Sequence, residues 1–241
     1  MDSAVCNPAK FLLAGLLALV PGSGLGQSGS FVISQHGNPV GTAAFNFTTE
    51  PTGISSTSLV RVDMKGLKYS LSKTEALSTE KHLRHVQMSA TVNGTAVTVD
   101  VAPDSAAMLI GISASGRSSN TRLTPHSYAV FLPDFDPGAL ETLLALAAAN
   151  NNRSLWAIVP KEAGSVQPIE LATYADESGS LDGNPVAVHH LVATIGGAVT
   201  DLFSGPENHL LQAELPQEGF AMVRKGFVLN PPANPGAPPA E

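Results

Sequence analysis

From Phe31 to Leu229 the chain alternates apolar and polar residues in short segments, and one stretch, Pro137 to Ala149, breaks that rhythm. Ala43, Phe45 and Phe47 share one face of an extended segment, with Ala44, Asn46 and Thr48 on the other. Val60, Val62 and Met64 alternate with Arg61 and Asp63, and Val97, Val99 and Val101 with Thr98 and Asp100. A period of two predicts half-buried strands. Similar segments predict strands near Ser30–His36, Lys68–Lys73, His82–Val92, Ala106–Ser113, Ser127–Leu132, Ser154–Val159, Val166–Tyr174, Val186–Thr194, Ala198–Phe203, His209–Leu215 and Phe220–Leu229. Between them lie turn formers: Gly37-Asn38-Pro39, Asn93-Gly94, Asp182-Gly183-Asn184-Pro185, Gly196-Gly197 and Gly205-Pro206. Asn-Gly between alternating arms is a two-residue hairpin signal, and strands joined by short turns build an antiparallel meander.

The exception is helical. Asp136 suits the N-cap, Pro137 the first helical position, and the asparagines from Asn150 the stop. Leu140, Leu143, Leu144 and Ala147 fall on one face, and Leu146 with the other alanines widens it into a helix that must be mostly buried. The predicted fold is therefore mainly β: a large curled antiparallel sheet or incomplete β-barrel wrapped around one α-helix near 137–149.

The first residues predict export. Lys10 precedes the apolar run Phe11 to Val20, and a small-residue stretch from Pro21 to Gly26 follows. That run falls short of the roughly 20 residues a bilayer-spanning helix needs, and it has the layout of a cleaved secretory signal over residues 1–26. Residues 27–229 then form a single β domain, and the Pro-rich segment 230–241 is a disordered tail. Cys6, the single cysteine, precedes the apolar run, so the processed chain has no thiol for a disulfide, a nucleophile or a metal. The expected location is periplasmic or secreted, with no transmembrane segment in the mature chain. The net charge of −7 with 14% charged residues lacks the clustered Lys and Arg that nucleic acid or an anionic membrane surface requires.

Two segments carry a resemblance. Gly29 to Gly41 (GSFVISQHGNPVG) and Val199 to Glu214 (VTDLFSGPENHLLQAE) are similar to the opening and late hairpins of uncharacterised exported bacterial proteins related to the LolA/LolB lipoprotein-carrier superfamily. The resemblance implies an incomplete β-barrel closed by helices, whose hollow holds acyl chains.

No catalytic constellation emerges. Gly111-Ile112-Ser113-Ala114-Ser115-Gly116 misses the nucleophile-elbow spacing by one residue and no helix pattern follows. His189 and His190, adjacent in a strand, point to opposite faces and cannot share an ion; His82 and His85 would share a face only on a helix. Asp134 and Asp136 sit where capping explains them. The protein is thus expected to be no enzyme, with no cofactor and no metal site. Phe45, Phe47, Trp156, Phe203 and Phe220, with Leu140 and Leu144 of the helix, either line a hollow for an apolar ligand or pack as an ordinary core. The functional expectation is an exported, non-catalytic binding protein whose partner is an apolar small molecule or lipid. The alternative is a structural or adhesive β module that engages another protein through a sheet edge.

Overall fold

The computed structural model describes residues 27–151, 154–161 and 164–230. The export leader and the Pro-rich segment of the sequence reading lie outside these residues, apart from Asn230. Eight strands open the fold as an uninterrupted antiparallel meander: β1 (Ser28–Gln35), β2 (Asn38–Glu50), β3 (Gly53–Met64), β4 (Leu67–Ser78), β5 (Leu83–Val92), β6 (Thr95–Asp104), β7 (Ala107–Ala114) and β8 (Arg117–Leu123). The hairpins are tight because the turn residues accept left-handed backbone. Asn93 and Gly94 take φ of 49° and 84°, the two successive positive values that match the twist of the flanking strands.

A short strand β9 (Ala129–Phe131) leads to the helix α1 (Pro137–Ala149), and β10 (Leu155–Val159) returns parallel to β9. That parallel pair departs from the all-antiparallel expectation. A parallel return needs a crossover, and α1 supplies it. The chain continues through β11 (Ser165–Thr173), β12 (Glu177–Leu181), β13 (Asn184–Ile195), β14 (Ala198–Ser204), a 3-10 turn at Pro206–Asn208, β15 (Leu210–Leu215), β16 (Phe220–Arg224) and β17 (Phe227–Leu229). β16 pairs with β1, so the first strand lies between its sequence neighbour and nearly the last. Among the described residues the result is one large, open, curled sheet of 17 strands with a single α-helix on its inner face.

The helix begins and ends where the sequence placed it. Asp136 accepts hydrogen bonds from the Gly138 and Ala139 amides at 2.9 and 3.3 Å, and the Asn150 amide donates to the Leu146 carbonyl. Ten of its residues are buried, and six of them, Ala139, Leu140, Leu143, Leu144, Leu146 and Ala147, join Phe31, Ile33, Phe45, Val60, Val101, Phe131 and Leu202 in one continuous core. Gly138 marks the closest approach: a Cβ there would lie 2.9 Å from the Phe45 Cβ and 2.4 Å from the Ser58 hydroxyl. Only glycine lets the helix start press this closely onto β2 and β3.

A second, smaller core sits on the other face. Leu202 and Phe203 are consecutive in β14 and so point to opposite sides of the sheet. Leu202 belongs to the helix-side core, whereas Phe203 packs with Val188, Leu211 and Phe227. β12 and β17 pair with each other and carry part of this outer layer, and β13 serves both layers: residues 184–188 pair with β12 and 191–195 with β11. A register shift beside Ser204 sends Leu210 to the inner core and Leu211 to the outer one.

Candidate functional site

Among the described residues no three His, Cys, Asp or Glu side chains are grouped as metal ligands, and no helix is long and apolar enough to cross a membrane. The histidines have individual partners. His189 meets Asp176 at 2.9 Å, His190 meets Asp201 at 2.9 Å and stacks on Phe203, and His85 meets Asp100 at 3.0 Å. Ser113, from the near-miss elbow, exchanges a 2.7 Å hydrogen bond with Ser118 across a hairpin.

The seven apolar residues singled out from the sequence do not form one surface. Phe45, Leu140, Leu144 and Phe220 are buried in the helix-side core, with Phe47 half-buried beside them. The Phe45 ring lies 5.9 Å from Phe31 and 5.3 Å from Phe47, centroid to centroid. Phe203 belongs to the outer core, separated from the others by the thickness of the sheet. Trp156 is half-buried against the helix-side core and stacks on His126 at 3.8 Å.

A concave apolar site occurs instead at the seam where the two ends of the curled sheet approach each other. The turn before β11 reaches β7 closely enough that a Cβ on Gly164 would lie 2.9 Å from the Ile110 side chain. Beside this contact is a cavity of about 400 Å³. Leu83, Met108, Ala129 and Ile158 are buried residues of its wall, and Val166 and Pro103 extend the apolar lining. His82, Ser105, Thr124, His126 and Ser127 supply polar groups. This combination of an apolar floor with a few polar groups, at a volume within the range of roughly 300–1,000 Å³ for small-molecule sites, suits a ligand that is mostly hydrocarbon. A wider, more open trough of about 780 Å³ crosses β1–β6, where the hydroxyls of Thr42, Ser70, Ser72, Ser89, Thr91 and Thr98 stand among apolar side chains that include Ala44, Leu59 and Val97.

The structure also holds a buried polar cluster that the sequence expectations do not include. Leu71, Lys73, Glu75 and Leu77 alternate along the inner face of β4, which places an ammonium and a carboxylate in the core. Lys73 Nζ lies 2.8 Å from Glu75 Oε2 and 2.7 Å from Asp136 Oδ2, and all three side chains are at most 1% exposed. Burial alone would depress the lysine, but the carboxylates of Asp136 and Glu75 outweigh it and hold Lys73 above its ordinary range. Glu75 is pushed up by burial, against the pull of Lys73. Lys73 is thus ion-paired with both carboxylates, and Glu75 is held above the usual carboxylate range. Glu75 Oε1, Asp136 Oδ2 and the Ser58 hydroxyl accept or donate no hydrogen bond of acceptable angle. Tyr69 stands nearby, its hydroxyl pushed up by burial and then by Asp134 and Asp136. The signal for this cluster was in the sequence: Lys and Glu two residues apart, in phase with flanking leucines.

Further along the helix, Glu141 accepts the Leu210 amide at 2.7 Å and faces His209 Nδ1 at 3.1 Å, tying α1 to β15. The hydrogen bond to Glu141 raises the His209 pKa, with burial acting against it.

No family model, curated protein or solved structure matches this chain.

Proposed function

We propose that the protein is an exported, non-catalytic binding module for a small apolar ligand, taken up at the seam cavity and not beneath the helix. The observation that carries this reading is the 400 Å³ cavity floored by Leu83, Met108, Ala129 and Ile158. A lipid tail or comparable hydrocarbon would replace water over that floor, at about 25 cal/mol per Å² of apolar surface covered. The polar groups of Ser105, Thr124, His126 and Ser127 would meet its polar end. The kinship with lipoprotein carriers belongs to this proposal as well, as the same chemistry in a curled sheet.

Recognition through a sheet edge has less support. Among the described residues β8 pairs only with β7, yet its exposed residues on the two faces are Arg117, Ser118, Ser119, Asn120 and Arg122, the polar and charged composition that discourages strand addition.

The test is titration of the purified, delipidated protein with a fluorescent fatty-acid probe, together with mass spectrometry of the organic extract from the natively purified protein. Saturable binding is expected, weakened at least about tenfold by Ala107→Trp, which fills the cavity; tenfold corresponds to about 1.4 kcal/mol. A delipidated protein that ignores such probes and carries no extractable apolar compound overturns the reading.

A further inference from the structure

We propose that Lys73 and Asp136 become covalently joined as an amide, with Glu75 shuttling the proton, so that the core of this protein holds a self-made cross-link between β4 and the start of α1.

Four requirements of that reaction meet at one place. The nucleophile is beside the carboxyl group it attacks, since Lys73 Nζ stands 2.7 Å from Asp136 Oδ2, the oxygen bonded to the target carbon. A proton carrier is at hand in Glu75, whose Oε2 lies 2.8 Å from the same nitrogen and whose Oε1 has no hydrogen-bond partner. The negative charge that develops on addition to a carboxyl carbon has a prepared site, because Asp136 Oδ1 already accepts from the Gly138 and Ala139 amides at the positive end of the helix. Donors fixed in advance on a developing oxyanion are among the largest contributions a protein makes to acyl chemistry. Finally, the group is sealed from solvent, the side chains of Lys73 and Asp136 having no exposed surface.

The step balances without any co-reactant. One ammonium proton of Lys73 passes to Asp136 Oδ2, which leaves an amine beside a neutral carboxyl. Nζ then adds to Asp136 Cγ, Oδ1 takes up the negative charge under the two helix amides, and Glu75 accepts the second proton from nitrogen. Glu75 returns that proton to Oδ2, the Cγ–Oδ2 bond breaks, and Oδ2 departs as water. An ammonium and a carboxylate have become an amide and one water molecule. In bulk water full hydration of both ions opposes such a condensation. Here the two charges are already stripped of water, which is the condition under which removing them lowers the free energy. Holding the reactants in contact removes most of the remaining entropic barrier.

The product suits its surroundings. Oδ1 persists as the amide oxygen and keeps the helix cap, while the ion pair and its desolvation cost disappear. A chain with a single cysteine cannot form an internal disulfide, and this bond would close the segment between β4 and α1 in the same topological sense.

Tryptic digestion of the full-length purified protein, followed by mass spectrometry, decides the matter. The expected result is one branched species in which residues 69–81, uncut after Lys73, are joined to residues 123–153, lighter than the sum of the two peptides by one water. Two separate, unmodified peptides with cleavage after Lys73 overturn the proposal. Glu75→Gln is expected to keep the circular-dichroism spectrum of the parent and to lose most of the branched peptide. Complete cross-linking in that variant would overturn the proton-carrier role of Glu75.

Discussion

The two cores of this protein lie on opposite faces of the same sheet and are built on different terms. The helix-side core draws on both ends of the chain, encloses α1 and contains the Lys73, Glu75 and Asp136 charges. The outer core has four buried members, Val188, Phe203, Leu211 and Phe227, beneath the short strands β12 and β17, with no buried ion among them. Size here goes with cost: the large core has apolar burial enough to tolerate a charged cluster that the small one could not carry. The difference teaches that a buried charge in a sheet protein is best sought where the apolar surroundings are deepest.

Removing a charge should break the comparison most severely. Asp136→Ala removes one of the two carboxylates that pair with Lys73, leaving Glu75 alone, and strips the cap from α1, so a loss of about 3–5 kcal/mol is expected from chemical denaturation. Truncating a fully buried aromatic tests the cores against each other. Phe31→Ala is expected to cost about 3–5 kcal/mol and to lower the global transition. Phe227→Ala should cost roughly 2 kcal/mol and act locally, because its site is bounded by two short strands that can adjust. Hydrogen exchange sharpens the contrast: Phe227→Ala should deprotect β12 and β17 selectively, whereas equal deprotection throughout the sheet would merge the two cores into one cooperative unit.

The smallest effect concerns the Glu141 link between α1 and β15. Since the folded-state pKa of His209 is raised, its contribution to stability is fully present below the ordinary histidine value of about 6.5 and is lost as pH rises through the raised value. A modest fall in thermal stability across that window is expected in the parent. Glu141→Gln should flatten it, and a parent whose stability is unchanged there would remove His209 from the account.

The unequal cores also explain what could be read from sequence. The helix at 137–149, its caps and the Asn93-Gly94 hairpin rest on local chemistry and were legible. Alternation showed the inner face of most of the meander for the same reason. β8 and β12 escaped notice because their sequences, RSSNTRL and ESGSL, lack an apolar row, which edge and surface strands do not need. The expected strand Phe220–Leu229 is two strands, turned at Lys225-Gly226, where Gly226 has φ 83°. Phe203 reads as one more inner aromatic because nothing in its own segment reveals that β17 covers the far side. In β4 the expected strand ends at Lys73, one residue pair before Glu75, the carboxylate that accounts for the buried lysine. The seam cavity depends on the loop before β9 and the turn before β11 meeting distant strands, a relation that no local period encodes.

The position of β1 has a consequence for how the molecule is made. Its left-hand neighbour, β2, follows at once, but its other edge waits for β16, which leaves the ribosome only when almost the whole polypeptide has been translated. Throughout that interval the nascent meander has a bare hydrogen-bonding margin at β1, and until α1 has been made its greasy concavity is uncovered as well. Newborn copies crowded together are most prone to stick to one another during this window, and slow release from the translation machinery lengthens it.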